Sequence, residues 1–161
     1  MVREEPHCGG GKEAELSASL LYGRLRGKTM GFRKFAKSQY DTIKMRDPAL
    51  KEEREVFLYP YVKALYWYRI AHKLYKKGHF YIARKISQWM ARKTGIEILP
   101  GAQIGEGCFI DHGHGVVFGE TTIIGNNVTL YQGVTLGGTG KEQGKRHPTL
   151  EDNVMVSAGA K

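Results

Sequence analysis

Four features of the chain carry side chains able to do chemistry: Glu97, the pair Asp111-His112, His114, and the pair Arg146-His147. A carboxylate near an imidazole orients its tautomer and raises its basicity, as general-base removal of a hydroxyl proton requires. Three histidines can equally ligate zinc when neighbouring copies bring them together, although no local pair here has decisive ligand spacing. Both chemistries stay open on residue types alone. His114 reads as a turn histidine. Gly137-Gly138-Thr139-Gly140-Lys141 is glycine-rich, but it lacks the earlier glycine of a phosphate loop and has Glu142 where that loop needs Ser or Thr. Nucleotide hydrolysis is therefore not expected, and the run reads as backbone that lets a bulky ligand approach closely.

The elements that must position these residues follow a six-residue period. Large apolar residues lead at Ile98, Ile104, Ile110, Phe118, Ile124, Leu130, Leu136, Leu150 and Val156. Small or branched residues follow four places later at Ala102, Cys108, Thr122, Val128, Val134, Val154 and Ala160. Such a period marks a solenoid, with three hexads closing one triangular coil. Gly101, Gly105, Gly119, Gly125 and Gly159 are expected at sharp turns, often with positive φ. The period breaks between Ile110 and Phe118, across Asp111–Gly115, and again between Leu136 and Leu150, across Gly137–Pro148. Insertions in a solenoid project as loops on a rigid scaffold, where chemistry usually sits. Glu97, fifteen residues before His112, is expected one coil beneath it, because stacked strands lie about 4.8 Å apart.

Ahead of the solenoid the chain is basic and helical. Residues 96–161 hold four Lys or Arg against seven Asp or Glu, and residues 1–95 hold twenty-one against nine. The excess reads as solvated helix faces and basic last turns, not as a nucleic-acid surface. No apolar run approaches a membrane span and the acidic N-terminus is unlike a secretory signal, so a cytoplasmic setting is expected. Cys8 and Cys108 suggest no disulfide framework, and Cys108 reads as a small buried filler. Residues 1–29 read as a disordered extension, 30–95 as a helical domain and 96–161 as the solenoid. Helices are expected over Phe32–Arg46, from an Asp47 N-cap through Glu55, over Tyr59–Lys77 with Gly78 at C′, and over Phe80–Lys93 closed by Gly95. Tyr61, Leu65, Tyr68 and Tyr75 form an apolar stripe broad enough for burial on more than one side.

Phe109-Ile110-Asp111-His112-Gly113, Gly119-Glu120-Thr121, Tyr131 through Lys141, and Lys145-Arg146-His147-Pro148-Thr149 together resemble the serine O-acetyltransferases of the hexapeptide-repeat acyltransferase superfamily. The similarity extends from about residue 30 to 161 and includes Arg46-Asp47-Pro48-Ala49 and Tyr68-Arg69-Ile70. The resemblance implies an α+β fold: an α-helical N-terminal domain followed by a left-handed parallel β-helix. It also implies a homo-oligomer, a trimer or a dimer of trimers, with active sites between neighbouring β-helices. Acetyl would pass from acetyl-CoA to the L-serine hydroxyl, without a metal, to give O-acetylserine and CoA for cysteine biosynthesis. By the same resemblance His112 is the general base and Glu97 its supporting carboxylate. Asp47 and Asp111 hold the substrate ammonium, Arg146 its carboxylate, and His147 stands beside it. These types suit their roles, because a guanidinium fork fits a carboxylate and aspartates pair with an ammonium. Gly138, Thr139 and Ala158 match coenzyme A contacts.

Two departures accompany the resemblance. Leu99 stands where a histidine is frequent, and the sequence stops at Lys161, where relatives continue through further coils and a tail that docks into O-acetylserine sulfhydrylase. The solenoid is therefore expected to be incomplete, without that tail and without part of the CoA wall. Other readings are an acetyltransferase for another small hydroxyl acceptor, a zinc-dependent protein resembling hexapeptide carbonic anhydrases, and an inactive assembly partner.

Overall fold

The computed structural model describes residues 30–141 and 144–161. The extension expected over 1–29 lies outside the described residues. Phe32–Lys161 forms one compact unit, four helices and a short 3-10 turn leading into nine strands. The helices are α1 (Phe32–Ser38), α2 (Tyr40–Arg46), α3 (Pro60–Lys76) and α4 (Phe80–Thr94). The strands are β1 (Ile96–Ile98), β2 (Gln103–Ile104), β3 (Phe109–Ile110), β4 (Val116–Phe118), β5 (Ile123–Ile124), β6 (Thr129–Leu130), β7 (Thr135–Leu136), β8 (Thr149–Leu150) and β9 (Met155–Val156).

Two helical expectations are corrected. The helix expected over Phe32–Arg46 is interrupted at Gln39, where Ser38 Oγ donates to Phe35 O at 2.7 Å and Gln39 N donates to Ala36 O at 3.0 Å, tightening the turn. Asp47 opens no helix. It closes α2, and its Oδ1 accepts the Ala49 N–H at 2.8 Å, an Asx turn that competes with helix initiation. The next helical turn starts only at Glu53, as a five-residue 3-10 segment with a Glu52/Glu55 capping box. The longer helices stand as expected to within a residue or two, with Gly78 at φ 80° and Gly95 at φ 72° just past their ends. Tyr61, Val62, Leu65, Tyr66, Tyr68, Ile70 and Leu74 of α3 are all buried, so this helix is covered on more than one side.

The strands form three parallel sheets, A (β1-β4-β7), B (β2-β5-β8) and C (β3-β6-β9), the three walls of a left-handed β-helix. Every strand ends on a leading residue of the period, and these stack in register: Ile98 on Phe118 on Leu136, Ile104 on Ile124 on Leu150, Ile110 on Leu130 on Val156. A partner lies eighteen residues on from Phe118 to Leu136. It lies twenty on from Ile98 to Phe118, which absorbs the first interruption, and twenty-six on from Ile124 to Leu150, which absorbs the second.

The corners are shaped by two different uses of glycine. Gly95, Gly115, Gly133 and Gly159 stack at the C–A corner with φ of 72°, 73°, 72° and 73°. Gly115, Gly133 and Gly159 donate N–H bonds to Gly95 O, His114 O and Gln132 O on the coil beneath. The residue that ends α4 is thus already in the left-handed conformation the corner needs, at no steric cost. Gly101, Gly105, Gly119 and Gly125, expected to share such φ values, do not. They leave out a Cβ that would sit within 3 Å of the next coil, so they serve close stacking rather than turning.

Helices α3 and α4 cover the otherwise open edge of the first coil. Ser87 Oγ donates to Ile98 O at 2.5 Å, Tyr68 Oη to Ala102 O at 2.5 Å, and His72 Nδ1 lies 2.7 Å from Pro100 O. The edge carbonyl of Ile98 and the turn carbonyls of Pro100 and Ala102 are thereby paired. Arg46 reaches from the end of α2 to Gly107 O at 2.6 Å and Asn127 O at 3.1 Å, tying two coils to the helical region. Cys108 is buried as expected, and burial pushes its thiol pKa up to about 12, far from a reactive thiolate.

Candidate active site

The first interruption forms the C–A corner above Gly95. Asp111 N donates to Leu130 O at 2.8 Å and Gly113 N to Asp111 O at 2.6 Å. His112, Gly113 and Gly115 all have positive φ, 57° at the histidine. That conformation costs a non-glycine residue about 1 kcal/mol and persists where the surroundings impose it. The result is an imidazole aimed outward, 73% exposed, with Nε2 3.8 Å from Asp111 Oδ1. Gly113 takes the buried place instead, where a Cβ would stand 2.6 Å from Ile96 Cδ1. His114, in the fourth place of its hexad, is exposed and lies over Gly95.

Beside this corner, Asp47 accepts a hydrogen bond from Tyr59 Oη at 2.5 Å on Oδ2 while Oδ1 is held by Ala49 N. Burial, the Asp47 bond and the charges of Asp47, Glu55 and Asp111 together raise the Tyr59 phenol well above its ordinary pKa, so it stays a donor. Tyr59 packs edge-on against Tyr61, and Tyr61 against Phe109 of β3, which leads directly to Asp111. Tyr59 therefore links Asp47 to the corner that carries Asp111 and His112. Sequence reading assigned no role to Tyr59 or Arg46; only their places beside Pro60 and Asp47 hinted at one.

The second interruption leaves sheet A and returns to sheet B, so it stands on the A–B corner above Gly119–Thr122. Arg146 and His147 are pinned there by Thr121, whose Oγ1 accepts both of their backbone N–H groups at 3.1 and 3.2 Å. Arg146 Nη1 also donates to Gly140 O at 3.0 Å, closing the loop across its own base. The His147 ring lies flat on Gly119, where a Cβ would fall 1.8 Å from Cδ2. Burial, with the neighbouring charges of Arg146 and Lys145, lowers the His147 pKa. A hollow of about 660 Å³ opens here, lined by Tyr75, Gln103, Glu120, Lys141, Arg146 and His147. Tyr75 Oη donates to Glu120 Oε1 at 2.6 Å along one side of it.

The two interruptions stand at opposite edges of sheet A. From Gly115 to Gly119, at about 3.3 Å per residue, the corners are roughly 13 Å apart. No hydrogen bond or ion pair joins His112 to Arg146 or His147 among the described residues. Glu97 lies on β1 below the His112 loop, but its carboxylate is held by Gln88 Nε2 at 2.7 Å and Arg84 Nη2 at 3.2 Å. Gly138 packs at the base of the excursion, where a Cβ would meet Arg146 Cγ and O at 2.9 Å. Thr139 is exposed beside it, and Ala158 is exposed on the C–A corner, two coils above His112. Among the described residues no three His, Cys, Asp or Glu side chains cluster as a metal site would require, and no helix is long and apolar enough to cross a membrane.

Comparison with known proteins decides the family. The serine acetyltransferase of Helicobacter pylori is 58% identical over 122 residues, which cover 75% of this chain and 71% of that protein. The chain belongs to the serine acetyltransferase family. The serine acetyltransferase of Bacillus licheniformis is also 58% identical, over 131 residues, 81% of this chain and 61% of that protein. The crystal structure of Neisseria gonorrhoeae serine acetyltransferase in complex with serine matches with a TM-score of 0.76 at 35% identity, covering 86% of this chain and 57% of that one. The chain thus spans about three-fifths of the length of these last two relatives. No family model matches it.

Proposed function

We propose that this chain carries the serine O-acetyltransferase reaction, moving acetyl from acetyl-CoA to the hydroxyl of L-serine. The observation that carries the reading is that an outward imidazole and an anchored guanidinium flank one wall of the β-helix. A neighbouring copy can therefore face one against the other, which makes a homo-oligomer, a trimer in the simplest case, the working form. His112 takes the serine hydroxyl proton as the oxygen bonds to the thioester carbonyl carbon. The C–S bond then breaks, and the imidazolium returns the proton to the departing sulfur, giving O-acetylserine and CoA. Asp47 and Asp111 pair with the serine ammonium, Arg146 grips its carboxylate with a planar fork, and His147 borders the same group.

Glu97 supports His112 from one layer below, its Oε1 steadied by Gln88 and Arg84. The side-chain-free surface at Gly138, with Thr139 and Ala158, suits the largely backbone contacts of a CoA arm. The cytoplasm, where CoA thioesters are held, is the proposed setting.

Thiol release from acetyl-CoA in the presence of serine tests the reading, with His112→Ala as the comparison. Equal rates in the two would remove His112 from the mechanism. Faster turnover with homoserine or a sugar would change the acceptor. Loss of activity on chelation, restored by zinc, would favour the metal chemistry instead.

A further inference from the structure

Thr121 makes four polar contacts with the Arg146-His147 pair. Its hydroxyl accepts the N–H of Arg146 at 3.1 Å and of His147 at 3.2 Å, and lies 2.7 Å from His147 Nδ1. Its own backbone N–H points at the same Nδ1 at 3.2 Å. A hydroxyl has two lone pairs and one proton. Both lone pairs are taken by backbone donors, which leaves the proton for Nδ1. The backbone N–H, which can only donate, requires the same of that nitrogen: a proton on Nδ1 would set two donors head to head. His147 Nδ1 is therefore an acceptor, and the proton of the neutral ring is on Nε2.

We infer that Thr121 is a positioning residue, which fixes His147 as a neutral Nε2–H donor beside the Arg146 guanidinium and so readies the pair for a carboxylate. This rests on the serine reading of the site. Gly119 contributes by omitting the Cβ that would occupy the place of the ring. The charged groups facing His147 are Arg146 and Lys145, which disfavour a second ring proton, and Glu120, which favours it but is engaged by Tyr75. Lys141 lines the same hollow. Arginine supplies the charge and histidine a second, uncharged donor of fixed direction. A protonated ring would also have to break its bonds to Thr121, so binding weakens at low pH.

Long-range proton–nitrogen NMR of the full chain reads the tautomer without reference to activity. Wild type above its titration is expected to show His147 protonated on Nε2 alone. Thr121→Val, which deletes the hydroxyl and keeps the shape, is expected to raise the His147 pKa, because the neutral ring loses one of the two donors to Nδ1 while the backbone N–H of residue 121 remains. The same variant is expected to raise KM for serine roughly tenfold with little change in KM for acetyl-CoA, because the Arg146 and His147 N–H groups lose their acceptor and Nδ1 loses one of its two donors. Thr121→Ser is expected to restore both. A wild-type ring protonated on Nδ1, or a Thr121→Val ring with unchanged pKa, would overturn the assignment even if the variants are poorly stable. If the NMR result holds and serine is not acetylated, the proposed reaction fails and the positioning role stands.

Discussion

The two interruptions of the β-helix are fixed by different means. The loop Asp111–Gly115 is only five residues long, and its shape is set by main-chain bonds to Gly95 and Leu130 and by three residues in the left-handed region. The excursion Gly137–Pro148 is longer, and among the described residues its return is tied to the scaffold by the Thr121 side chain and a missing side chain at Gly119 as well as by the main-chain bond from Ile123 N to Pro148 O. A short loop leaves the backbone few conformations, so local geometry suffices. A long one must spend side-chain contacts to offset its greater freedom. The base of the proposed reaction thus sits on the stiffer mount, and the carboxylate grip on the one more easily disturbed.

That contrast can be broken from either side. The largest effect is expected for His112→Ala, a loss of about 10² to 10⁴ in kcat with an unchanged circular dichroism spectrum, because the exposed ring supports nothing else. Arg46→Met removes two charge-assisted bonds from stacked corner carbonyls. It is expected to cost roughly 2–3 kcal/mol of stability, measured by denaturant titration, while turnover at saturating serine changes less. Arg146→Lys keeps the charge and loses the fork, which is expected to raise KM for serine roughly tenfold. Gly119→Ala drives a methyl into the His147 ring. Since the ring can swing away, the expected outcome is a severalfold rise in KM for serine with a melting temperature lowered by a few degrees at most.

The smallest effect concerns pH. His147 has a folded pKa below the ordinary imidazole value of 6.5, so between those two values the unfolded chain binds the extra proton and the folded chain does not. Its contribution to stability is complete above 6.5 and falls as the pH drops toward the folded value. The melting temperature of wild type relative to His147→Gln should decline over that window. A flat difference would show that the ring is not held neutral by its surroundings.

The period of six, its leading residues and its two breaks were all legible in the sequence, because each hexad buries one large residue and corner sterics repeat every coil. Less legible was the helical entry. Asp47 looks like an N-cap, yet it accepts bonds from Ala49 and Tyr59, and the tyrosine comes from twelve residues away. Which glycines turn and which merely make room was also hidden, since both are silent side chains and only the neighbouring coil distinguishes them.

By itself, then, the sequence determined the solenoid, its triangular coil and which side chains are candidates for chemistry, because these depend on short-range periodicity and residue chemistry. Tertiary structure alone decided that His112 and Arg146 stand on different corners of one wall, that Glu97 is tied to α4, and that Thr121 governs His147. Each of these joins residues from separate coils or from helix and coil, and such pairings are fixed by how layers stack, not by spacing along the chain.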